Sequence, residues 1–108
     1  GGDGCFPALI RSGSATRHVV LSILGGEATL WQPPTPDMWR WIVLGATLAM
    51  GDPVLRYDSA AARLDFLTPP PRQAQRAALL TGTRIGAWSW TLDERAYAAI
   101  AGLMASSR

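Results

Sequence analysis

The chain has 108 residues, of which 48% are hydrophobic and 17% are charged, and its formal net charge is +2. This length and apolar content are enough for one domain with a hydrophobic core, and they argue against a disordered protein. The single cysteine, Cys5, excludes an internal disulfide and a cysteine-based zinc cluster, and a cytoplasmic location is expected. All ten basic residues are arginine, and lysine and asparagine are absent, which indicates the coding bias of a high-GC bacterial genome.

The N-terminal third predicts three strands. Residues 1–5 are glycine-rich and are expected to be disordered or to be an addition to the native protein, at the start of a single domain over residues 1–108. Strands are predicted over Phe6–Arg11 and Thr16–Leu24. Gly25 and Gly26 then form a two-residue hairpin loop, which places Leu24 opposite Glu27 in a third strand that ends at Trp31.

This register separates the two faces of the first hairpin. Side chains alternate along a strand, so one face is apolar throughout and is expected to be the core side. It holds Val19, Leu21, Ile23, Ala28 and Leu30. The other face is half polar, and it pairs Val20 with Trp31 and Ser22 with Thr29, with His18 beside them.

The segment from Thr35 to Met50 is the most apolar part of the sequence and predicts a core helix that covers the apolar face of this hairpin. Thr35 is a suitable N-cap, Pro36 fits the first helical position, and Gly51 provides a C-cap. Its 13-residue apolar run, 38–50, is too short to span a bilayer, and no membrane partner is expected. The alternative is a buried strand, which would place Trp39 and Trp41 on one face.

A second hairpin is predicted from strands over residues 54–58 and 63–68, joined by a four-residue loop. The register follows from complementary charges and apolar pairs across the strands. It opposes Tyr57 to Leu64, Leu55 to Phe66, Asp58 to Arg63, and Arg56 to Asp65. The charged face is predicted to be solvent-exposed, and its ion pairs are interpreted as surface pairs rather than as catalytic groups.

The remaining sequence predicts a helix over Arg72–Thr81, one strand over Thr83–Thr91 and a final helix. A capping box over residues 91–94 starts that helix. Its apolar face holds Leu92, Ala96, Tyr97, Ile100, Leu103 and Met104. The fold class is therefore α+β: a single domain with about six mostly antiparallel strands and three helices, in the order β-β-β-α-β-β-α-β-α.

No pattern points to catalysis, a metal or a cofactor. Cys5 and His18 are the only residues of their types, so neither a metal-ligand spacing nor an evident nucleophile and base can be recognised. The glycine pairs lack the ending and the context of a phosphate-binding loop. An enzyme is therefore not the favoured interpretation, and no catalytic or metal-ligating residue is predicted.

Five tryptophans in so short a sequence favour an interaction module. No remaining helix has an apolar face wide enough to cover the mixed face of the first hairpin. We therefore expect an interface on that face and on the last strand, formed by Val20, Trp31, Trp88 and Trp90. The partner would be a second copy of this protein or another protein.

The alternative function is nucleic-acid binding, in which arginine contacts phosphate and aromatic rings stack on bases. Its residues would be Arg17, His18, Arg72, Arg76 and Arg84. Eight acidic residues are interspersed with the arginines, which weakens the case for one basic face. A small-ligand pocket or an enzyme is the third hypothesis.

Overall fold

The computed structural model describes residues 4–45, 52–79 and 82–105, and the side chains of all of these except 43–45. The elements are β1 (Gly4–Ser12), β2 (Ala15–Leu24), β3 (Glu27–Trp31), α1 (Pro36–Gly45), β4 (Val54–Asp58), β5 (Arg63–Phe66), α2 (Arg72–Gln75), β6 (Ala78–Leu79), β7 (Gly82–Gly86), β8 (Ser89–Leu92) and α3 (Glu94–Ala105). No helix within the described residues is both long and apolar enough to cross a membrane.

The described strands form one sheet of eight, in the order β6-β3-β2-β1-β4-β5-β8-β7. Two neighbouring pairs, β1 with β4 and β3 with β6, are parallel, and the others are antiparallel. The sheet curls until it is nearly barrel-shaped, with β6 close to β7. The α+β class and the mostly antiparallel sheet are confirmed, whereas the expected number of about six strands is too low.

The first hairpin has the predicted register. Leu24 pairs with Glu27, and the pairing continues to Val20 with Trp31. Gly25 and Gly26 both have positive φ angles, 60° and 81°. A two-residue loop that matches the twist of the strands requires this conformation, and glycine adopts it without a steric penalty. The local sequence therefore determines the register.

Pro7 lies inside β1, which is a central strand with a neighbour on each side. Proline cannot donate a ladder hydrogen bond, so it is tolerated only where no partner needs its amide. The backbone of Leu9 faces β4, since its amide donates to the Pro53 carbonyl at 2.9 Å, and by alternation Pro7 faces the same side. Pairing of β1 with β4 begins only at Leu9, so Pro7 leaves no strand partner unsatisfied.

The second hairpin also has the predicted register, with Tyr57 opposite Leu64 and Arg56 opposite Asp65. Tyr57 is buried and Arg56 is exposed, as expected. The prediction of a fully solvent-exposed charged face is wrong, because Asp65 is only 5% exposed. β8 pairs with β5 and places Ser89 opposite Asp65, and that neighbour was not foreseen.

Residues 72–92 depart most from the prediction. The helix stops at Gln75 instead of continuing to residue 81, and Ala78 enters the sheet, where its amide donates to the Gly26 carbonyl at 2.8 Å. The single strand predicted over Thr83–Thr91 is a hairpin, β7 and β8, with a turn at residues 87–88 and a register shift between Arg84 and Gly86. These changes account for the two additional strands.

The core lies inside the curved sheet, and α3 closes it. Ala96 and Ile100 of α3 join the buried cluster, together with the inner side chains of β1, β2 and β3. The apolar face predicted for this helix is confirmed. Its capping residue differs, because Asp93 rather than Thr91 is the N-cap: the Ala96 amide donates to Asp93 Oδ1 at 3.0 Å.

The role predicted for α1 is wrong. The helix exists and starts as expected, since the Met38 amide donates to Thr35 Oγ1 at 3.2 Å, but it does not cover the inner face of the first hairpin. Trp39 of α1 contacts His18, which points to the outer face of β2, and α1 lies beside β1. Of its side chains within residues 36–42, none is fully buried. The predicted end at Gly51 falls outside the described residues.

Candidate functional interface

The outer face of the first three strands carries a second apolar layer, separate from the core. Pro7, Val20 and Trp31 are register neighbours across β1, β2 and β3. Val20 is fully buried and Pro7 is buried, although both side chains point away from the core. Both faces of this part of the sheet are therefore covered. Helix α3 packs on the inner face, and α1 lies beside the outer face.

A groove of about 530 Å³ lies at the N-terminal end of α1, beside this outer layer. Two aromatic rings stand on one side of it: His18 and Trp39 meet edge to face, with ring centroids 5.6 Å apart. The rest of the wall is the connector that leads into the helix. It is formed by Gln32, Pro33, Pro34, Thr35 and Pro36. Proline and aromatic rings hold fixed shapes, so little side-chain entropy would be lost when this surface binds a partner.

Helix α1, whose Pro36 and Trp39 line this groove, also exposes two large apolar side chains. Trp41 is 73% exposed and Met38 is 42% exposed. They are three residues apart, so they are neighbours on one side of the helix. Trp39 and Ile42, by contrast, are partly buried and lie on the side that faces the sheet. We call the groove together with Met38 and Trp41 the α1 surface.

The four side chains predicted for an interface lie in different environments. Val20 and Trp90 are buried within the protein itself and offer no accessible area to a partner. Trp31 is partly buried, and its Nε1–H donates to Ser22 Oγ at 2.6 Å. Trp88 is 41% exposed at the turn between β7 and β8. The structure brings Val20 and Trp31 together, as the register requires, but Trp88 and Trp90 do not share one exposed face.

The residues considered for nucleic-acid binding lie on β2, in and directly after α2, and on β7. Arg17 and His18 are consecutive in β2, so their side chains point to opposite faces of the sheet. Arg72 and Arg76 are exposed in and directly after α2. Arg84 is close to that helix, as expected, but its guanidinium has a structural role.

The guanidinium of Arg84 binds backbone and stacks on a ring. Its Nη2 donates to the Ala77 carbonyl at 2.7 Å and its Nη1 donates to the Gln75 carbonyl. Its Cζ lies 5.1 Å from the ring centroid of Trp90. These contacts connect β7 to the segment that follows α2. They also supply donors to carbonyl groups that have no intrahelical partner at the end of the helix.

The buried acid of the second hairpin is also structural. Asp65 Oδ2 accepts from Arg56 at 3.1 Å, and Oδ1 accepts from the Nε of Arg63 at 2.8 Å. Burial alone would raise the pKa of Asp65, but hydrogen bonds from Ser89, Arg63 and Arg56 outweigh it and hold this pKa below its ordinary value. A carboxylate kept ionised by two cations is a poor general acid or base near neutral pH.

Within the described residues, Cys5 is not placed beside His18, and the interior void lined by Leu64 and Trp90 is too small for a ligand. Cys5 is exposed, and its Sγ lies 3.4 Å from Ser22 Oγ rather than beside His18. No group of three potential metal ligands occurs among the described residues. The interior void lined by Leu64 and Trp90 has a volume of about 10 Å³, which is room for no more than a water molecule.

Sequence reasoning missed Met38 and Trp41 because it assigned the whole apolar helix to the core. The available signal was Arg40, which interrupts the apolar run and lies between them in sequence. No protein-family model, curated protein or solved structure matches this sequence.

Proposed function

We propose that this protein is an interaction module that associates with a second copy of itself through the α1 surface. The observation that carries the proposal is the 73% exposure of Trp41, which neighbours the exposed Met38 on a helix whose first residues line a groove of rings and prolines. Contiguous exposed apolar side chains of this kind mark interaction sites in folded proteins. Tryptophan in particular is enriched among the side chains that contribute most of the binding energy.

A second copy is a suitable occupant because the surface has both a protruding and a concave part. In a two-fold symmetric pair, Trp41 of each copy can enter the groove beside His18 and Trp39 of the other. Burial of one large apolar residue contributes roughly 1.5 to 3 kcal/mol, and two-fold symmetry applies this gain twice. This proposal retains the aromatic interface expected from the sequence but moves it from the sheet to the helix.

The test is the solution mass of the protein over a range of concentrations, measured by light scattering and analytical ultracentrifugation. We expect a concentration-dependent dimer. Trp41→Glu should weaken association by more than about 2 kcal/mol, roughly 30-fold, as for a central aromatic anchor. The substitution should leave the circular dichroism spectrum unchanged, because Trp41 is largely exposed in the single protomer.

The matched control is Ile85→Glu, which places the same charge on an apolar position of β7 that is 50% exposed. It should leave the dimer intact. A wild-type protein that remains monomeric up to about millimolar concentration, where typical specific dimers are formed, would overturn the proposal. Equal loss of association in both variants would show that the interface is not the α1 surface.

A further inference from the structure

Three arginines lie on neighbouring strands on the outer face of the sheet. Arg11 of β1 is directly opposite Arg56 of the parallel strand β4, and Arg56 is opposite Asp65 of β5. Arg63 is two residues before Asp65 on the same strand, so it shares the face of Asp65. Each of the three arginines is next in sequence to a residue of the buried core, which places all of them on the face opposite the core.

Positive charge exceeds negative charge on this face. Arg11 and Arg56 are like charges in register on adjacent strands, an arrangement that is destabilising by itself. The carboxylate of Asp65 is only 5% exposed, and Arg56 and Arg63 share it. Asp58, the other acid that β4 contributes here, accepts a hydrogen bond at Oδ1 from a backbone amide of its own turn. An anion from outside the protein would therefore stabilise this cluster.

Asp65 holds two of the guanidinium groups in fixed positions. Its Oδ2 accepts from Nη2 of Arg56 at 3.1 Å, and its Oδ1 accepts from Nε of Arg63 at 2.8 Å. The two arginine side chains are still 56% and 44% exposed, so their other N–H groups can reach a ligand. An arginine that is already ordered loses less entropy on binding, and its planar fork matches the oxygens of a phosphate group.

An exposed aromatic ring adjoins the arginines. The register of β1 with β2 makes Arg11 and His18 diagonal neighbours on the outer face. Diagonal neighbours lie about 7 to 8 Å apart, within reach of long and aromatic side chains. His18 is exposed, and its ring meets Trp39 edge to face. A ring beside phosphate-binding arginines permits stacking of an unpaired base. We call Arg11, Arg56, Arg63 and His18 together the arginine face.

The arginine face is long enough for several nucleotides. It runs diagonally over four adjacent strands, in the order β2, β1, β4 and β5. Three strand spacings amount to about 14 Å, and an advance of about four residues along the strands adds about 14 Å in the perpendicular direction. The diagonal is therefore roughly 20 Å long, the length of about six stacked nucleotides.

We propose that the arginine face binds single-stranded nucleic acid. The guanidinium groups of Arg11, Arg56 and Arg63 contact neighbouring phosphates, and the ring of His18 stacks on an unpaired base. Of the residues that the sequence suggested for nucleic-acid binding, His18 alone belongs to this face. The inference goes beyond self-association through the α1 surface and does not rest on it.

The test uses a fluorescent oligothymidylate of about eight nucleotides, a length within the range of known single-strand sites. Binding is measured by fluorescence anisotropy at salt concentrations between about 50 and 200 mM. Three phosphate contacts predict that the logarithm of the binding constant falls against the logarithm of the salt concentration with a slope of about −2. A DNA duplex of the same charge should bind at least about fivefold more weakly, because it offers no unpaired base for stacking.

Two variants and one control separate charge from stacking. Arg11→Gln should weaken binding about tenfold at low salt and reduce the salt slope by about 0.7. His18→Ala should weaken binding of the oligonucleotide at least about fivefold but leave binding of inorganic polyphosphate unchanged. Arg76→Gln is the matched control: it removes the same charge from an exposed position after α2 and should change the affinity by less than about twofold.

Four outcomes would overturn the proposal. The oligonucleotide does not bind at low salt, the duplex binds as tightly as the single strand, Arg76→Gln weakens binding as much as Arg11→Gln, or polyphosphate of equal charge binds as tightly as the oligonucleotide. The last result would mean a site for bare anions rather than for nucleic acid. The solution mass of Arg11→Gln separates this inference from association through the α1 surface, since Arg11 lies outside that surface and the dimer should persist.

Discussion

The two faces of β1, β2 and β3 both carry apolar side chains, but they are covered in different ways. The inner face meets α3, whose Ala96 and Ile100 are buried in the core. The outer face lies next to α1, which contributes Trp39 and leaves Trp41 and Met38 exposed. A strand with apolar residues on both faces needs a cover on each, and here only α3 contributes fully buried side chains among those described. The inner contact stabilises the fold, whereas the helix on the outer side leaves large apolar side chains exposed.

The largest effect should come from the inner face. Ile100→Ala removes most of a side chain that is 4% exposed, and the cavity it leaves should lower the free energy of unfolding by about 2 to 5 kcal/mol. Urea denaturation followed by circular dichroism measures this change. Met38→Ala on α1 is the matched deletion and should change stability by no more than about 0.5 kcal/mol. Similar losses in both variants would contradict the buried position of Ile100 and the exposed position of Met38.

A second effect concerns the charged cluster of β4 and β5. The pKa of Asp65 is lowered in the folded state, so the unfolded state binds more protons at acidic pH. The stabilisation from this group is complete above its unfolded pKa, about 3.9, and is lost as the pH falls through the lower folded pKa. Asp65→Asn should lower the free energy of unfolding at pH 7 by about 1.5 to 3 kcal/mol, the value of hydrogen bonds to a charged group.

The measurement for Asp65 is urea unfolding at several pH values between about 7 and 2.5, which span the unfolded pKa. The wild type should lose stability more steeply at acidic pH than Asp65→Asn does, so the two should converge at the lowest pH. Asp37→Asn changes an exposed carboxylate in the first turn of α1 and should leave stability at pH 7 within about 0.5 kcal/mol. A constant difference between wild type and Asp65→Asn at every pH would contradict this account.

Both hairpin registers could be predicted because the information is local. Gly25 and Gly26 set the first register, and complementary side chains across a four-residue turn set the second. Even there, cross-strand pairing did not predict the side-chain partner of Arg63. Arg63 binds Asp65, two residues along its own strand, and Asp58 accepts a hydrogen bond from the Ala61 amide in the turn instead. Side-chain partners depend on neighbours that register alone does not supply.

The segment after Pro71 could not be predicted, because its structure depends on distant residues. Its alanines, glutamines and leucines favour a helix intrinsically. In the fold, the Ala78 amide instead binds the Gly26 carbonyl, and Arg84 binds carbonyls at the end of α2. The same limit applies to the candidate interface: apolar content identified α1 as important, but it could not indicate which face of the sheet the helix covers.

The smallest expected effect tests how the outer face is held. Trp31 donates Nε1–H to Ser22 Oγ at 2.6 Å, and that hydroxyl also lies 3.4 Å from Cys5 Sγ. Trp31→Phe keeps an aromatic ring beside Val20 but removes the donor, and it should lower the free energy of unfolding by about 0.5 to 1.5 kcal/mol. Ser22→Ala removes the acceptor and should lower the free energy of unfolding by a similar amount.

Because both variants lose the same hydrogen bond, the double variant should lose clearly less stability than the sum of the two single losses. A double-mutant cycle from urea unfolding measures the difference. Simple additivity would mean that the bond contributes nothing, and that the outer face is held by packing around Val20 alone.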